Sequence, residues 1–421
     1  MEKYGEDSLD GGMSRFLQGM VVAAIAGALV LIGFAAGLTT MWLVGPELHQ
    51  AIAAILPSAA TTMPEPSGQE RFGLLTEIWS ILDGEFYDPK ALDDEKMTRG
   101  AAVGLVASVG DPYTVLVEPL QAAIMDQDMQ GSFEGIGATV EMVEGQLMIV
   151  RPLPGSPALE AGLRAGDTIL AVDDEPLEGK TILEAIALIR GPRGTVVRLL
   201  VQRAGTPEPF IVPVTRDKVE LPIIETRMLK GDIAYLRLKE FNAVSQKRVR
   251  SALRKLLAND PMGLVVDLRG NPGGYLNMAV DVASEFLPKG TLILIEQERN
   301  QEPKEYLVER EGIATTVPLA VLVNGSSASA AEIVAGAIRD SDRGTLIGEH
   351  TFGKSAVQST HKLSEGSSLR VTIAKWYPPG GKDLDTGGIE PDIQVILSPE
   401  DVAAERDPQL ERAVAYLLHG E

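Results

Sequence analysis

The 421-residue sequence contains no cysteine and only four histidines, His49, His350, His361 and His419. Without cysteine there is no disulfide, no thiolate nucleophile and no Cys-ligated zinc, and this residue type says nothing of the redox compartment. The histidines fall into no HExxH or similar spacing, so a histidine-rich metal site is not expected. Basic residues are short as well: 38 Lys and Arg stand against 59 Asp and Glu, for a net charge of −21, and they form no basic patch. Nucleic-acid binders need clustered Lys and Arg to displace counterions, so no nucleic-acid partner is expected.

The length leaves room for two or three domains with a sizeable core. From Phe16 to Pro46 no charged residue occurs, and Trp42 stands near one end of a run long enough to cross a bilayer as a helix. A cleaved signal peptide has an apolar region of about 7–15 residues. The longer run here predicts an uncleaved transmembrane anchor at 16–45. Lys3 and Arg15 precede it and no Lys or Arg follows before Arg71, which puts a tail at 1–15 in the cytoplasm. The expectation is a single-pass cell-membrane protein whose bulk is extracytoplasmic.

After a Pro/Ala/Ser/Thr-rich linker at 46–69, RFGLLTEIWSILDGEF and DDEKMTRGAAVGLVASVG carry apolar residues at helical spacing. They predict a small N-terminal helical region, assigned 70–128, whose helices end at the turn-forming run GDPYT, Gly110–Thr114. From 129 to 217 the texture changes to short alternating strands, GATVEMV, GQLMIVRPL, DTILAVDD and TVVRLLVQR, with short helices at PALEAG and ILEAIALIR. From 218 to 400 strands such as GLVVDLRG, LAVLVNG and SLRVTIAKWY alternate with helices at 245–257, 276–286 and 329–338, which implies an α/β layered domain, followed by a C-terminal helix at 401–421.

GEHTFGKS, Gly348–Ser355, spells a phosphate-binding loop. Such a loop requires a helix starting at its lysine, and the residues that follow, SAVQSTHKLSEGSSLRVTIAKW, read as β-like or irregular. The apolar strand ending in Asp267 precedes the loop instead of following it, so the nucleotide reading finds no support. Just upstream, LAVLV runs into NGSSASAAE and then a helix. A serine at such a turn either caps the helix or presents its hydroxyl where backbone N–H groups favour developing negative charge.

These residues, VLVNGSSASAAEI with GEHTFGKSAVQ, DLRGNPGGYL and GDPYT, resemble the C-terminal processing peptidases, also called tail-specific proteases, over about Arg71 to Asp392. Within 129–217, GIGA after Phe133, SPALEAGLRAGDTILAVDDEPL and LIRGPRGTVVRLLVQR resemble a PDZ domain. The resemblance implies a crotonase/ClpP-like α/β core with an inserted PDZ domain, and a serine–lysine dyad. Aligning Asn324 and Glu332 chooses Ser329, rather than Ser326 or Ser327, as nucleophile. Lys354 takes the base position and Gln358 the supporting one. Gly274 and the Ala330 amide form the oxyanion hole, and Gly135, Ile136, Gly137 and Ala138 receive a peptide's terminal carboxylate. Arg190 couples PDZ occupancy to the active site, as in regulated relatives. Ala331 stands where relatives often have a third serine, and Ser355-Ala356 replaces Gly-Thr after the lysine.

The chemistry has its own logic. A serine hydroxyl attacks only when a neighbour takes its proton, and a lysine does so only when neutral, a state that burial favours. Intrinsic reading leaves a serine–histidine pair through His350 or His361 open; the resemblance treats His350 as a local variation. The expected activity is an extracytoplasmic serine endopeptidase working without metal, nucleotide or other cofactor, taking protein or peptide substrates with accessible C-termini. The rival is a noncatalytic peptide-tail-binding scaffold. The oligomeric state, a homo-oligomer included, stays open.

Overall fold

The computed structural model describes residues 72–385 and 387–420. The expected tail, anchor and linker, 1–69, lie outside the described residues. The membrane localisation is corrected here: among the described residues no helix is long and apolar enough to cross a membrane. The longest, at 14 residues, spans about 21 Å at 1.5 Å per residue, against a bilayer core of about 30 Å.

Residues up to Asp93 and residues from Asp94 onward form two compact units. In the first, helix α1 (Gly73–Glu85) has no buried residue, and a single 3₁₀ turn at Pro89–Ala91 is capped by Asp88, whose carboxylate accepts the Lys90 N–H.

The second unit opens with α2 (Asp94–Ala107), whose first turn carries Asp94 and Glu95, favourable at the positive end of a helix. Strand β1 (Val115–Val117) and helix α3 (Pro119–Met129) follow. The segment expected to be helical thus also contains a strand. Next comes a β-rich module: β2 (Ser132–Gly135), β3 (Ala138–Val143), β4 (Gln146–Pro152), α4 (Pro157–Glu160), β5 (Thr168–Val172), β6 (Glu175–Pro176), α5 (Ile182–Ile189), β7 (Val196–Gln202), β8 (Phe210–Thr215) and β9 (Asp217–Glu220). Its sheet runs β3-β4-β5-β7-β8, with β3 at an open edge, and β2 pairs with β9 as a separate antiparallel ribbon. Alternate residues of β4 and β7, Leu147, Ile149, Val197, Leu199 and Val201, point into a core closed by Ala185 and Ile189 of α5. This is the period-2 pattern read in the sequence.

The remaining elements are β10 (Ile224–Leu229), β11 (Ile233–Leu238), α6 (Ser245–Leu257), β12 (Gly263–Asp267), α7 (Leu276–Ala283), β13 (Leu292–Glu298), β14 (Lys304–Leu307), β15 (Leu319–Val323), α8 (Ala330–Asp340), β16 (Thr345–Gly348), β17 (Ala356–Lys362), β18 (Ser368–Tyr377), β19 (Ile393–Gln394), α9 (Pro399–Ala403) and α10 (Pro408–His419). The single C-terminal helix expected at 401–421 is therefore two, broken before Pro408, which starts the second at the position a proline tolerates.

The main sheet runs β10-β11-β12-β15-β16-β19, parallel from β11 onward. β12 and β15 are buried along their whole length, GLVVD and LAVLV, because both faces are covered. Leu264, Val266, Val321 and Val323 face α6, α7 and α8. Val265, Ala320 and Leu322 face Leu410 and Ala413 of α10. A second, antiparallel sheet, β1-β18-β13-β14 with β17 on β18, packs Leu294 and Trp376 into the first of these cores.

Candidate active site

Strand β15 ends in a tight turn, and α8 begins at Ala330 with Ser329 at its N-cap. Ser329 holds φ 53 and ψ −114, a backbone region in which a non-glycine residue is strained and which persists only where the surroundings over-determine it. Those surroundings are identifiable. The Ser329 N–H donates to Glu332 Oε2 at 2.7 Å, and the Ala328 N–H donates to the Asn271 carbonyl at 2.9 Å. Of the neighbouring serines, Ser327 is buried, with its hydroxyl donating to the Leu268 carbonyl at 2.8 Å, and Ser326 is exposed. Ser329 is the one of the three that lines a cavity, of about 500 Å³, together with Lys354, Gln358, Gly273, Gly274 and Arg370.

Lys354 comes from the loop between β16 and β17, and the residues after it form a strand, not the helix a phosphate loop needs. Its Nζ donates to Gln358 Oε1 at 2.7 Å. It also lies 4.8 Å from the centre of the Tyr113 ring. The amide end of Gln358 donates to the Tyr113 carbonyl, which can only accept, so Oε1 must be the end that faces the lysine. Burial, with the Arg370 charge adding to it against an opposing Asp111, holds the Lys354 amine below its usual range. A lysine so placed discharges more readily than one in water.

Glu332 ties the two halves together. Fully buried on α8, its carboxylate also accepts from Thr351 Oγ1 at 2.5 Å, the Gly353 N–H at 2.7 Å and the Lys354 N–H at 2.9 Å. One side chain thus holds the serine turn and the lysine loop at a common point. The sequence pattern Ser-x-x-Glu signals a helix cap; nothing in it announces the three bonds to residues 351–354.

The Asp267–Gly274 loop lies against the serine turn. Asn271, buried, donates from its Nδ2 to the Leu238 carbonyl and accepts the Gly273 N–H. At Gly273, φ +99, a β-carbon would stand 2.9 Å from Ser329 Cβ and 3.0 Å from the Ala330 nitrogen. Gly274 has φ +144, and a β-carbon there would collide with the Phe241 carbonyl at 2.0 Å. Neither the Gly274 nor the Ala330 N–H has a hydrogen-bond acceptor among the described residues. Asp267 accepts from Tyr235 Oη and the Arg269 guanidinium, and Arg269 continues to Asp407 and Gln409. This anchors α10 behind the loop.

The other expected residues lie elsewhere. His350, exposed, has its Nδ1 at 3.4 Å from the Gly387 carbonyl, and His361 is exposed on β17; neither lines the cavity. Gly135 to Ala138 form the junction between β2 and the edge strand β3. Gly137 has φ +74, and the Ile136 and Gly137 N–H groups donate to no acceptor among the described residues. Arg190, at the end of α5, donates to Gln127 Oε1 at 3.1 Å and Asp128 Oδ1 at 2.9 Å and sits 4.2 Å over the Phe133 ring. It thereby joins the β-rich module to α3, which supplies Met125, Asp126, Asp128 and Met129 to the cavity wall. Ser355 and Ala356, where relatives often carry other residues, are accommodated: the Ser355 hydroxyl donates to Asp385 Oδ1 at 2.6 Å and Ala356 is buried. Among the described residues no group of three or more His, Asp or Glu side chains is arranged to hold a metal ion.

Residues 232–395 match the model of peptidase family S41, and residues 148–203 match that of a PDZ domain. The carboxy-terminal processing protease CtpA of Bacillus subtilis is 35% identical over 331 residues, covering 79% of this chain and 70% of that protein. The carboxyl-terminal-processing protease of Synechocystis is 35% identical over 351 residues, 81% of this chain and 82% of the relative. A solved putative S41 protease from Bacteroides fragilis superposes with a TM-score of 0.51 at 19% identity, over 82% of this chain and 97% of that one, a likeness of fold. With more than a third of residues shared across most of both lengths, the chain belongs to peptidase family S41, the carboxy-terminal processing proteases, and is a serine-type peptidase carrying a PDZ domain.

Proposed function

We propose that this peptidase works through a Ser329–Lys354 dyad on a crotonase/ClpP-like core, 218–400, and reads substrate C-termini through a PDZ module, 129–217. The observation that carries the reading is Lys354: half-buried, in one cavity with Ser329, and hydrogen-bonded through Nζ to a Gln358 whose orientation the Tyr113 carbonyl dictates. With one N–H of a neutral amine given to Gln358, its lone pair is left for the Ser329 hydroxyl. Lys354 takes that proton as Ser329 Oγ attacks the peptide carbonyl. The oxyanion then receives the Gly274 and Ala330 N–H groups, which have no acceptor of their own among the described residues. Lys354 returns the proton to the leaving amine, and water hydrolyses the acyl-enzyme with the same lysine as base. No step calls for a cofactor.

The Ile136 and Gly137 amides beside the open edge of β3 suit a peptide added as a further strand, with its terminal carboxylate on the free N–H groups. Arg190, bridging that module to α3, couples peptide capture to the cavity. The deciding measurement is cleavage of an unfolded protein by the full chain and by Ser329→Ala, Lys354→Ala and His350→Ala. Loss in the first two with His350→Ala active is expected. Undiminished cleavage in Ser329→Ala, or loss in His350→Ala with Lys354→Ala active, overturns the dyad.

A further inference from the structure

The cavity wall includes a cation that the dyad chemistry leaves unused. Arg370 of β18 lines it, and its Nε is buried without a hydrogen-bond partner. The polar contact of its guanidinium is Nη2 to Met125 Sδ at 3.6 Å, and a thioether is a weak acceptor. Three carboxylates line the same cavity, and each is engaged by another residue. Asp126 pairs with Lys362 at 2.5 Å, Asp128 with Arg190 at 2.9 Å, and Glu240 accepts from Asn242 Nδ2 at 2.7 Å. Arg370 forms no ion pair among the described residues. A guanidinium presents a planar fork of donors whose natural complement is a carboxylate, and leaving such donors unmet inside a protein is costly.

We propose that Arg370 is a carboxylate-binding subsite of the catalytic cavity, which holds a carboxylate of the peptide being cut. In the β17/β18 register Thr372 stands opposite Gln358 and Arg370 opposite Thr360. Arg370 is therefore offset along the strand by two residues, about 7 Å, from the partner of the lysine. On this proposal an extended peptide runs past Ser329 along this sheet with its C-terminal side toward Arg370, which then meets a group about two residues from the scissile bond. In a substrate cut near its end, that group is the terminal carboxylate of the departing tail; in a longer one, it is an Asp or Glu side chain. The assignment rests on Ser329 and Lys354 as the reacting pair, and it is separate from the β2–β3 junction, which does not line the cavity. The plainer role, a charge that merely discourages the Lys354 ammonium, makes a different forecast.

The test uses the full chain as wild type, Arg370→Gln, Arg370→Lys and Ser329→Ala, each at the alkaline plateau of its own pH profile. Three peptides share one cleavage site that leaves a two-residue tail: the free acid, its C-terminal amide, and the amide with Asp as the last residue. The amide isolates the terminal carboxylate, and the Asp peptide supplies a side-chain carboxylate in its place. Arg370→Gln is expected to cut the kcat/KM preference for free acid over amide by about tenfold or more, the worth of a charge-assisted pair. A drop confined to the Asp peptide assigns the subsite to acidic side chains. Arg370→Lys, which keeps the charge but not the fork, is expected to fall between, and it carries the test if Arg370→Gln does not fold. Unchanged preferences in Arg370→Gln and Arg370→Lys, with only the acid limb displaced, overturn the proposal. Cleavage by Ser329→Ala instead refutes the dyad, whatever Arg370 does.

Discussion

Glu332→Gln is the perturbation that bears most directly on how the site is assembled. The carboxylate receives four donors, two on each oxygen: Thr351 Oγ1 and the Gly353 N–H on Oε1, and the Ser329 and Lys354 N–H groups on Oε2. A glutamine of the same shape must turn an NH₂ toward one of these pairs. Directed at the Oε2 pair, it meets two backbone N–H groups that cannot accept. Directed at the Oε1 pair, it meets one, because the Thr351 hydroxyl can reverse while still accepting the Ile389 N–H. The second arrangement wins and strands the Gly353 N–H, at a cost of about 1–3 kcal/mol. The Ser329 and Lys354 amides exchange a charged acceptor for a neutral one, losing roughly 1 kcal/mol each. Relief from burying a charge offsets part of this. The net expectation is a loss of about 2–4 kcal/mol in urea unfolding. Trp376 is a suitable fluorescence reporter, being buried with its Nε1 donating to the Lys354 carbonyl at 3.1 Å. Because the segments carrying the proposed dyad both hang from this one carboxylate, kcat is expected to fall about 100-fold, the loss that a displacement near 1 Å can cause. An E332Q protein with unfolding free energy within about 0.5 kcal/mol of wild type and unaltered kcat would refute the bracket.

Three further outcomes are expected. Burial makes folded Lys354 bind its proton less tightly than the unfolded chain, so stability rises with pH from the depressed folded value up to about 10.4. Lys354→Met removes that penalty: inactive, it should unfold at higher urea than wild type near pH 7, the gap closing toward pH 10, and a gap independent of pH would contradict this. Gln358→Glu puts a carboxylate beside Nζ, favouring the ammonium; the acid limb of kcat/KM should move up by roughly 1–3 pH units, and a limb that stays or moves down tells against Lys354 as base. Gly273→Ala forces a β-carbon against Ser329 and the Ala328 carbonyl at φ +99, a strain of about 1–3 kcal/mol that should lower kcat about 10- to 100-fold. Gly270→Ala, also at a positive φ (+70) but with its nearest atom 3.8 Å away, carries the backbone strain without the collision and should keep more of kcat.

What the sequence reveals and conceals follows from the range of each interaction. Helix 245–257 is read to the residue, since its amphipathic face, Val249, Ala252, Leu253 and Leu256, is a local pattern. The buried strands GLVVD, apolar up to Asp267, and LAVLV are legible for the same reason, each as a local run. β1 is not: three residues, VLV, carry no period, and its strand partner lies about 250 residues on, at Arg370 to Ser368. GDPYT therefore reads as the end of a helical region, although the Tyr113 carbonyl fixes Gln358 and the Thr114 hydroxyl accepts the Thr372 N–H. Ser329 and Lys354 stand out through motifs, whereas Glu332 looks like an ordinary cap residue until the 351–354 loop folds onto it. Arg370 belongs to no motif, and its want of an ion pair among the described residues exists only in three dimensions. The uncharged run at 16–45 reads as a membrane helix by hydropathy alone, whereas no described helix is long and apolar enough to cross a membrane.

The antiparallel ribbon of β2 and β9 sets Ser132 opposite Glu220 and Gly135 opposite Asp217. The whole β-rich module therefore enters and leaves the chain through a single neck. Strand β1, which precedes the neck, is woven into the sheet that carries Gln358, and everything after β9 completes that architecture. The peptidase unit is thus discontinuous in sequence but continuous in space. The β-rich module is a cassette on a two-stranded stalk, inserted between Gly135 and Asp217 without re-routing the backbone of the two catalytic-unit sheets.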